Sequence, residues 1–258
     1  MLSTLSTQQM GTEGEPDKNT YDFSPAARAT IPANGGKKTL TYRGRGGNRF
    51  AFNAMMIGGD YDEVLCRAET NGGQNVLFTD VHLSALRDLF LHRRLKGLLY
   101  VAANNELDLV LTNPKSSDAT VNIKMNGFNG QARIEEQEAC LRRTYGYVPK
   151  PKLLFGRATL AAGATNQKIE IAGRTDAVKF RRYMIGATDL KKIRAKLMLY
   201  EDTVREEVYA SQVRDEFLSE EANQPYQLDA NVSLDLITSN DGQAEQDVSA
   251  VFEAYVAQ

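Results

Sequence analysis

Apolar and polar residues alternate with a period of two along most of this chain. The clearest examples are residues 38–42 and 49–52 in the first half, and Ile193, Ala195, Leu197 and Leu199 in the second. Sequences rich in Asn, Asp and Gly separate these stretches and predict turns at residues 34–36, 71–73, 126–127 and 241–242. A period of two between such turns predicts half-buried antiparallel strands.

In each half, one apolar stripe at helical spacing interrupts the strands. In the first half it predicts a helix that starts near Asp80 or Ser84 and contains Leu83, Leu86, Leu89 and Phe90. In the second half the stripe consists of Val204, Val208, Val213 and Phe217. A further amphipathic helix could occupy the stretch between the halves, where three glutamates precede two arginines and a Tyr-Gly-Tyr-Val-Pro sequence.

The second half of the chain repeats the first. Residues 86–128 align without a gap with residues 213–255 at an offset of 127, and 11 of the 43 pairs are identical. Unrelated sequences would share about two or three pairs from composition alone. The identical pairs include Asn113 with Asn240, and the Met-Ile-Gly sequence at 56–58 recurs at 184–186. A period of this length is that of a whole domain, because solenoid repeats are much shorter.

Several short strands and one helix in each repeat are typical of a jelly-roll sandwich. We therefore predict an all-β fold with a few short helices, arranged as two tandem antiparallel jelly-roll β-sandwiches. The predicted division is a flexible N-terminal tail at 1–22, a first jelly roll at 23–131, a linker with helical character at 132–150 and a second jelly roll at 151–258. The tail is polar and has too few large apolar groups to offset its ordering entropy.

Composition and charge exclude several classes of protein. The formal net charge of -2 gives no overall field that attracts nucleic acid or anionic lipid, so no specific nucleic-acid partner is expected. Cys66 and Cys140 suggest reduced thiols rather than a disulfide framework. No stretch approaches the roughly 18 apolar residues of a membrane span, and the first residues lack the regions of a secretory signal. We expect synthesis in a cytoplasm.

A strand, a helix and a strand follow one another at residues 62–68, 83–90 and 97–101, and residues 192–197 and 234–237 repeat the strands of this scheme. In this pattern and its duplication the chain resembles the double jelly-roll major capsid proteins of tailless icosahedral, membrane-containing bacterial viruses of the corticovirus type. The resemblance implies a non-enzymatic virion protein that forms a homotrimer. Its six jelly rolls would form a pseudo-hexagonal capsomer, and capsomers would tile an icosahedral shell over an internal lipid membrane. Its partners would be further copies of itself and other virion proteins, such as a vertex protein.

A different class of protein, a lectin-like or spike-type β-sandwich binding module, is the alternative. Such a module is expected to show an aromatic platform or a dense acidic metal loop. Neither stands out in the sequence, which has no Trp.

Histidine is too scarce for the chemistry of tandem β-barrel enzymes, which need clusters of His and carboxylate ligands. The chain has only His82 and His92, near the first predicted helix, and the second repeat has none. We interpret both as surface or helix-end residues. We therefore predict no catalytic residue, no metal site and no cofactor.

Three other motifs allow a functional and a structural interpretation. Residues 43–47, Arg-Gly-Arg-Gly-Gly, could contact nucleic acid, but we favour a solvated glycine-rich loop. The basic runs at 93–96 and 179–182 are typical of solvated faces, or could contact lipid headgroups or the acidic tail of a neighbouring subunit. Asp108 and Asp235 occupy equivalent positions and are interpreted as outward-facing strand residues, with a divalent cation as the less favoured alternative.

Overall fold

A computed structural model describes residues 21–91, 95–171, 178–199, 202–216, 226–228 and 234–256. The elements of the first repeat are β1 (Ala26–Ile31), β2 (Gly36–Arg43), β3 (Phe50–Gly59), β4 (Leu65–Thr70), β5 (Asn75–His82), α1 (Leu83–Leu91), β6 (Leu99–Val101), β7 (Glu106–Asn113) and β8 (Ala119–Asn129). Helix α2 (Gln131–Tyr145) follows. The second repeat contains β9 (Pro151–Leu160), β10 (Gln167–Glu170), β11 (Val178–Ala187), β12 (Ile193–Leu199), β13 (Asp202–Tyr209), α3 (Ala210–Glu216), β14 (Tyr226–Leu228), β15 (Leu234–Asn240) and β16 (Gln246–Val256).

The strands of each repeat form two four-stranded antiparallel sheets in jelly-roll order. In the first repeat the orders are β1-β8-β3-β6 and β2-β7-β4-β5. In the second they are β9-β16-β11-β14 and β10-β15-β12-β13. Adding eight to each strand number of the first repeat gives the second, so both repeats have one topology. The predicted fold class, two tandem jelly rolls with a few short helices, is therefore confirmed.

The sequence repeat corresponds to structurally equivalent strands. β8 and β16 begin and end 127 residues apart, and so do β5 and β13. β3 and β11 are 128 residues apart, and each carries a β-bulge at the equivalent place, Phe52/Ala54 in β3 and Phe180/Arg182 in β11. Positions of the two repeats can therefore be compared side chain by side chain.

The inward side chains of the two sheets in each repeat form the core. Phe50, Leu107 and Val121 are fully buried in the first repeat, and the Tyr183 and Phe252 rings stack at 5.0 Å in the second. The buried apolar cluster is continuous from the first repeat into the second. The two jelly rolls therefore share a core rather than being joined only by a linker.

Helix α2 lies between the two repeats in sequence, and in the structure it packs on the first repeat. Its Ile134 and Leu141 form a small apolar cluster with Ala51, Leu98 and Phe128. The helix ends at Gly146, whose φ of 77° suits glycine and whose N–H donates to the Arg142 carbonyl. Among the described residues, no helix is both long enough and apolar enough to span a membrane.

The second apolar stripe was wrongly predicted as one helix. Val204 and Val208 lie in β13, which pairs with β12, and helix α3 begins only at Ala210 and includes Val213. A spacing of four residues fits a strand face as well as a helix face, so the sheet decides the structure. Phe217 lies outside the described residues.

The turn predicted at Asn126-Gly127 is also wrong, because both residues lie within β8. They pair with Ala54 and Phe52 across the bulge of β3, and Phe23 adds a bridge to Gly127. A Cβ at Gly127 would lie 2.0 Å from the Ala51 carbonyl oxygen. Here glycine permits close approach of two backbones rather than a turn.

Candidate functional site: the contact between the two jelly rolls

Strand β5 and helix α1 of the first jelly roll pack on the outer side of the β9-β16-β11-β14 sheet of the second. Along β11, Tyr183 and Ile185 point inward and Met184 and Gly186 point outward, since successive side chains alternate. Met184 is only 2% exposed although it points away from its own core. A Cβ at Gly186 would lie 2.4 Å from the His82 Cβ, so only glycine fits there.

His82, the last residue of β5, is fixed at the centre of this contact. Its backbone N–H donates to the Ser249 hydroxyl at 2.9 Å, and its Nδ1 lies 2.8 Å from the same oxygen. Burial lowers the pKa of His82 to about 4, against an opposing effect of Asp247 and with a smaller lowering by Arg157. Of the two alternatives given for His82, the surface position is therefore wrong, because the side chain is 1% exposed. The helix-end position fits, because His82 ends β5 and directly precedes α1.

A buried ion pair lies on the same outer sheet surface. Arg182 on β11 pairs with Glu253 on the neighbouring strand β16, and both side chains are almost inaccessible. The Tyr255 hydroxyl donates to Glu253, and the Lys96 backbone N–H donates to the Tyr255 hydroxyl oxygen at 2.9 Å. These hydrogen bonds join the four groups into one network. Removing one partner of the ion pair would leave an uncompensated buried charge.

This network changes the interpretation of the basic runs. Arg182 is not on a solvated face, because the first jelly roll buries it against Glu253. The Lys96 ammonium lies 5.4 Å from the centre of the Tyr145 ring at the end of α2. Residues 92–94, including His92, lie outside the described residues.

At the edge of the contact, Arg157 on β9 links the two repeats electrostatically. Its guanidinium donates to both oxygens of Asp247, with Nε 2.8 Å from Oδ1. Its Nη1 lies 3.7 Å from Oδ2 of Asp80, which belongs to the first jelly roll. The hydrogen bonds to Asp247 raise the pKa of Arg157 further above its ordinary value.

Asp108 and Asp235 lie on the equivalent strands β7 and β15, and both side chains are partly exposed. Asp108 accepts a hydrogen bond from the Thr41 hydroxyl at 2.6 Å, and Asp235 lies 2.8 Å from Nζ of Lys168. In both repeats the partner belongs to the neighbouring strand of the same sheet. Within the described part of the chain, no group of three His, Cys, Asp or Glu side chains is placed to hold a metal ion.

The remaining candidates have structural surroundings. The glycine-rich segment forms a short 3₁₀ turn at Arg45–Gly47, and Arg43 pairs with Glu106. Cys66 is a buried free cysteine, and its burial raises the pKa of the thiol, so it is unreactive. Cys140 is a partly buried free cysteine on α2.

Sequence reasoning missed the role of one identical pair, Asn113 and Asn240. The Asn113 amide donates to the carbonyls of Ile31 and Ser117, and its oxygen accepts the N–H of Lys115. In the second repeat the Asn240 amide donates in the same way, and its oxygen accepts the N–H two residues ahead. Each asparagine thus fixes the loop between the last two strands of its repeat to the end of that repeat's first strand. Their identity at an offset of 127 was the signal.

Neither a protein-family model nor a curated protein matches this sequence. Among solved structures, the MCP of STIV shares 12% identity at a TM-score of 0.47 over 91% of this chain and 96% of its own. A chain in an atomic structure of Sulfolobus turreted icosahedral virus shares 10% identity at a TM-score of 0.45, over 91% of this chain and 90% of its own. The major capsid protein P2 from bacteriophage PM2 shares 8% identity at a TM-score of 0.43, over 91% of this chain and 98% of its own.

P2 is a major capsid protein, the class of protein that the sequence resembles. Because the identities and TM-scores are low, the fold of this chain rests on its own strand order.

Proposed function

We propose that this chain is a major capsid protein that acts by assembly and performs no catalysis. The observation that carries the proposal is the buried contact between its two jelly rolls. Two repeats of one topology use different surfaces to meet: β5 and α1 on the first, and the outer side of one sheet on the second. A contact between different surfaces of similar units can be repeated from one unit to the next, which generates rings and larger assemblies.

The finer proposal is a homotrimer. Three chains contribute six jelly rolls, and closure of the ring gives a pseudo-hexagonal capsomer that tiles an icosahedral shell. We propose that the shell encloses an internal membrane and contains other virion proteins, such as a vertex protein. The chain would then be made in the host cytoplasm and located in the virion.

The division of the chain remains part of this proposal, with a tail at 1–22, jelly rolls at 23–131 and 151–258, and a linker between them. Tyr21 and Asp22 already contact the first jelly roll, because the Tyr21 hydroxyl donates to Asn53 at 2.7 Å and Asp22 accepts the Asn129 N–H. Residues 1–20 lie outside the described residues.

The test uses the purified full-length chain. Size-exclusion chromatography with light scattering should give a trimer, and electron microscopy of concentrated samples should show hexagonal particles, sheets or shells. A chain that stays monomeric at high concentration would contradict the proposal and favour the lectin-like or spike-type binding module.

A further inference from the structure

Each repeat has two surfaces that matter for association. We call β5 with α1, and the equivalent β13 with α3, the edge faces. We call the outer side of β9, β16 and β11, and the equivalent outer side of β1, β8 and β3, the sheet faces. Within one chain, the first edge face covers the second sheet face. Among the described residues, no edge face covers the first sheet face, and the second edge face covers no sheet face.

The first sheet face is open where the second is covered. Met56 corresponds to the buried Met184, yet it is 59% exposed. Gly58 corresponds to Gly186, but a Cβ placed on Gly58 would meet nothing within 4 Å. Helix α2 covers only the other end of this face, around Ala51 and Phe128.

The second edge face has the matching property. Tyr209 ends β13 as His82 ends β5, and it is 41% exposed where His82 is buried. In the described part of the chain, Met56 and Tyr209 are two of four large apolar side chains that stand exposed. Met56 lies on the unused sheet face and Tyr209 on the unused edge face. Their equivalents, Met184 and His82, are buried in the contact within the chain.

One charged pair of the contact within the chain has a counterpart across the two unused faces. The sequence Arg-Ala-Thr at 28–30 in β1 corresponds to Arg-Ala-Thr at 157–159 in β9, so Arg28 is the equivalent of Arg157. Glu207 is the equivalent of Asp80, the residue that Arg157 faces across the contact. Arg28 and Glu207 are both on the surface. Glu207 pairs with Arg194 within its own chain and keeps a partly exposed carboxylate that can accept a second guanidinium.

We propose that the first sheet face of one copy binds the second edge face of another copy, in the arrangement that the repeats adopt within a chain. Tyr209 of one copy then packs over Gly58 and beside Met56 of the next, and Glu207 faces Arg28. This inference rests on the proposed function and deepens it, because it names the surfaces through which the copies associate.

The first experiment fills the space above Gly58. Gly58→Gln adds a side chain where the isolated chain has room, so the monomer should keep its unfolding midpoint. At the contact between copies the side chain has no room, by analogy with Gly186, and the dissociation constant measured by light scattering should rise about tenfold or more. Thr39→Gln, on an exposed position of the other sheet, is the matched control and should associate as the wild type does.

The second experiment identifies both faces. Arg28→Cys and Glu207→Cys chains, each carrying Cys140→Ser to remove the partly buried thiol, are co-expressed and treated with a short bis-maleimide. A covalent dimer should form in the co-expressed sample. Neither variant alone should form one, because two copies of the same position do not meet at a contact between different surfaces.

The outcomes separate this inference from the proposed function. If the wild type assembles, yet Gly58→Gln assembles equally well or the cysteine pair does not cross-link, the assignment of the faces is wrong and the capsid proposal stands. If the wild type is a monomer at every concentration, both are wrong.

Discussion

Lowering the pH should reduce the free energy of unfolding of this protein, because one buried histidine resists protonation. His82 lies in the contact between the jelly rolls, where the Ser249 hydroxyl is its hydrogen-bonding partner. Arg157 and Asp247 are the charged groups that act on it. A neutral imidazole suits this position, and a proton added to it has to be accommodated without water.

The magnitude follows from the shift in pKa. Burial lowers the pKa of His82 from 6.5 to about 4. The unfolded chain therefore takes up the proton at a higher pH than the folded chain does. The contribution of the neutral side chain is fully present above pH 6.5 and is lost as the pH falls through about 4. Each pKa unit corresponds to about 1.4 kcal/mol, so the loss between pH 7 and 4 is about 3 kcal/mol.

The assay is urea unfolding of the wild type and of His82→Gln from pH 7 to pH 4, at a concentration at which light scattering shows monomers. Glutamine does not titrate, so carboxylate effects common to both proteins cancel in the difference. The free-energy difference between wild type and variant should change by about 3 kcal/mol in favour of the variant as the pH falls. Tyr209→Gln, at the equivalent exposed position, should leave the pH dependence unchanged. A wild-type minus His82→Gln difference that is the same at both pH values would refute the reasoning.

Three further tests concern the two equivalent glycines, the two loop asparagines and the N-terminal tail. Gly186→Ala should destabilise the monomer by about 1–3 kcal/mol, because its Cβ would overlap the covering strand end, whereas Gly58→Ala should be neutral or slightly stabilising; equal unfolding midpoints would contradict this. Asn240→Ala and Asn113→Ala should each cost about 2 kcal/mol in urea unfolding, because buried carbonyls lose their donors, and a loss below about 0.5 kcal/mol would show that the loops do not depend on them. Deleting residues 1–20 should leave the thermal unfolding midpoint nearly unchanged but reduce assembly seen by electron microscopy; a chain that no longer folds would place the tail in a core strand.

The period of two and the internal repeat were sufficient to predict the fold. An alternating pattern between turns has few solutions, and a duplicated pattern has to form the same structure twice. Secondary structure was wrongly predicted where the same residues are compatible with two kinds of local structure. Val204 and Val208 fit a helix stripe or a strand face, and only the pairing of β13 with β12 distinguishes the two.

The candidate site was less predictable, because its residues are buried by the other repeat. His82 lies between Val81 and Leu83 at the start of a predicted helix, and nothing in this local sequence indicates that the other repeat covers its side chain. Ser249, which receives its hydrogen bond, is 167 residues away. Arg182 belongs to a basic run in the sequence, which does not show that Glu253 on the adjacent strand compensates its charge or that the first jelly roll covers it.

The two sheet faces differ in a way that suits their different roles. Inward positions of the last strand are apolar in both repeats, as Val121 and Val248 show. Outward positions differ: Lys124 is exposed in the first repeat, and its equivalent Val251 is fully buried in the second. The second sheet face is covered as the chain folds, so an apolar side chain is stable there from the start.

In the proposed assembly, the first sheet face remains in water until another copy binds it. Large exposed apolar patches promote unwanted association, and Lys124 beside the exposed Met56 limits the apolar area of this face in the free chain. We expect the same polarity to make the proposed contact between copies weaker than the contact within a chain. This order of strengths suits the proposed capsid role, because each chain must fold completely before reversible contacts between chains select the closed assembly.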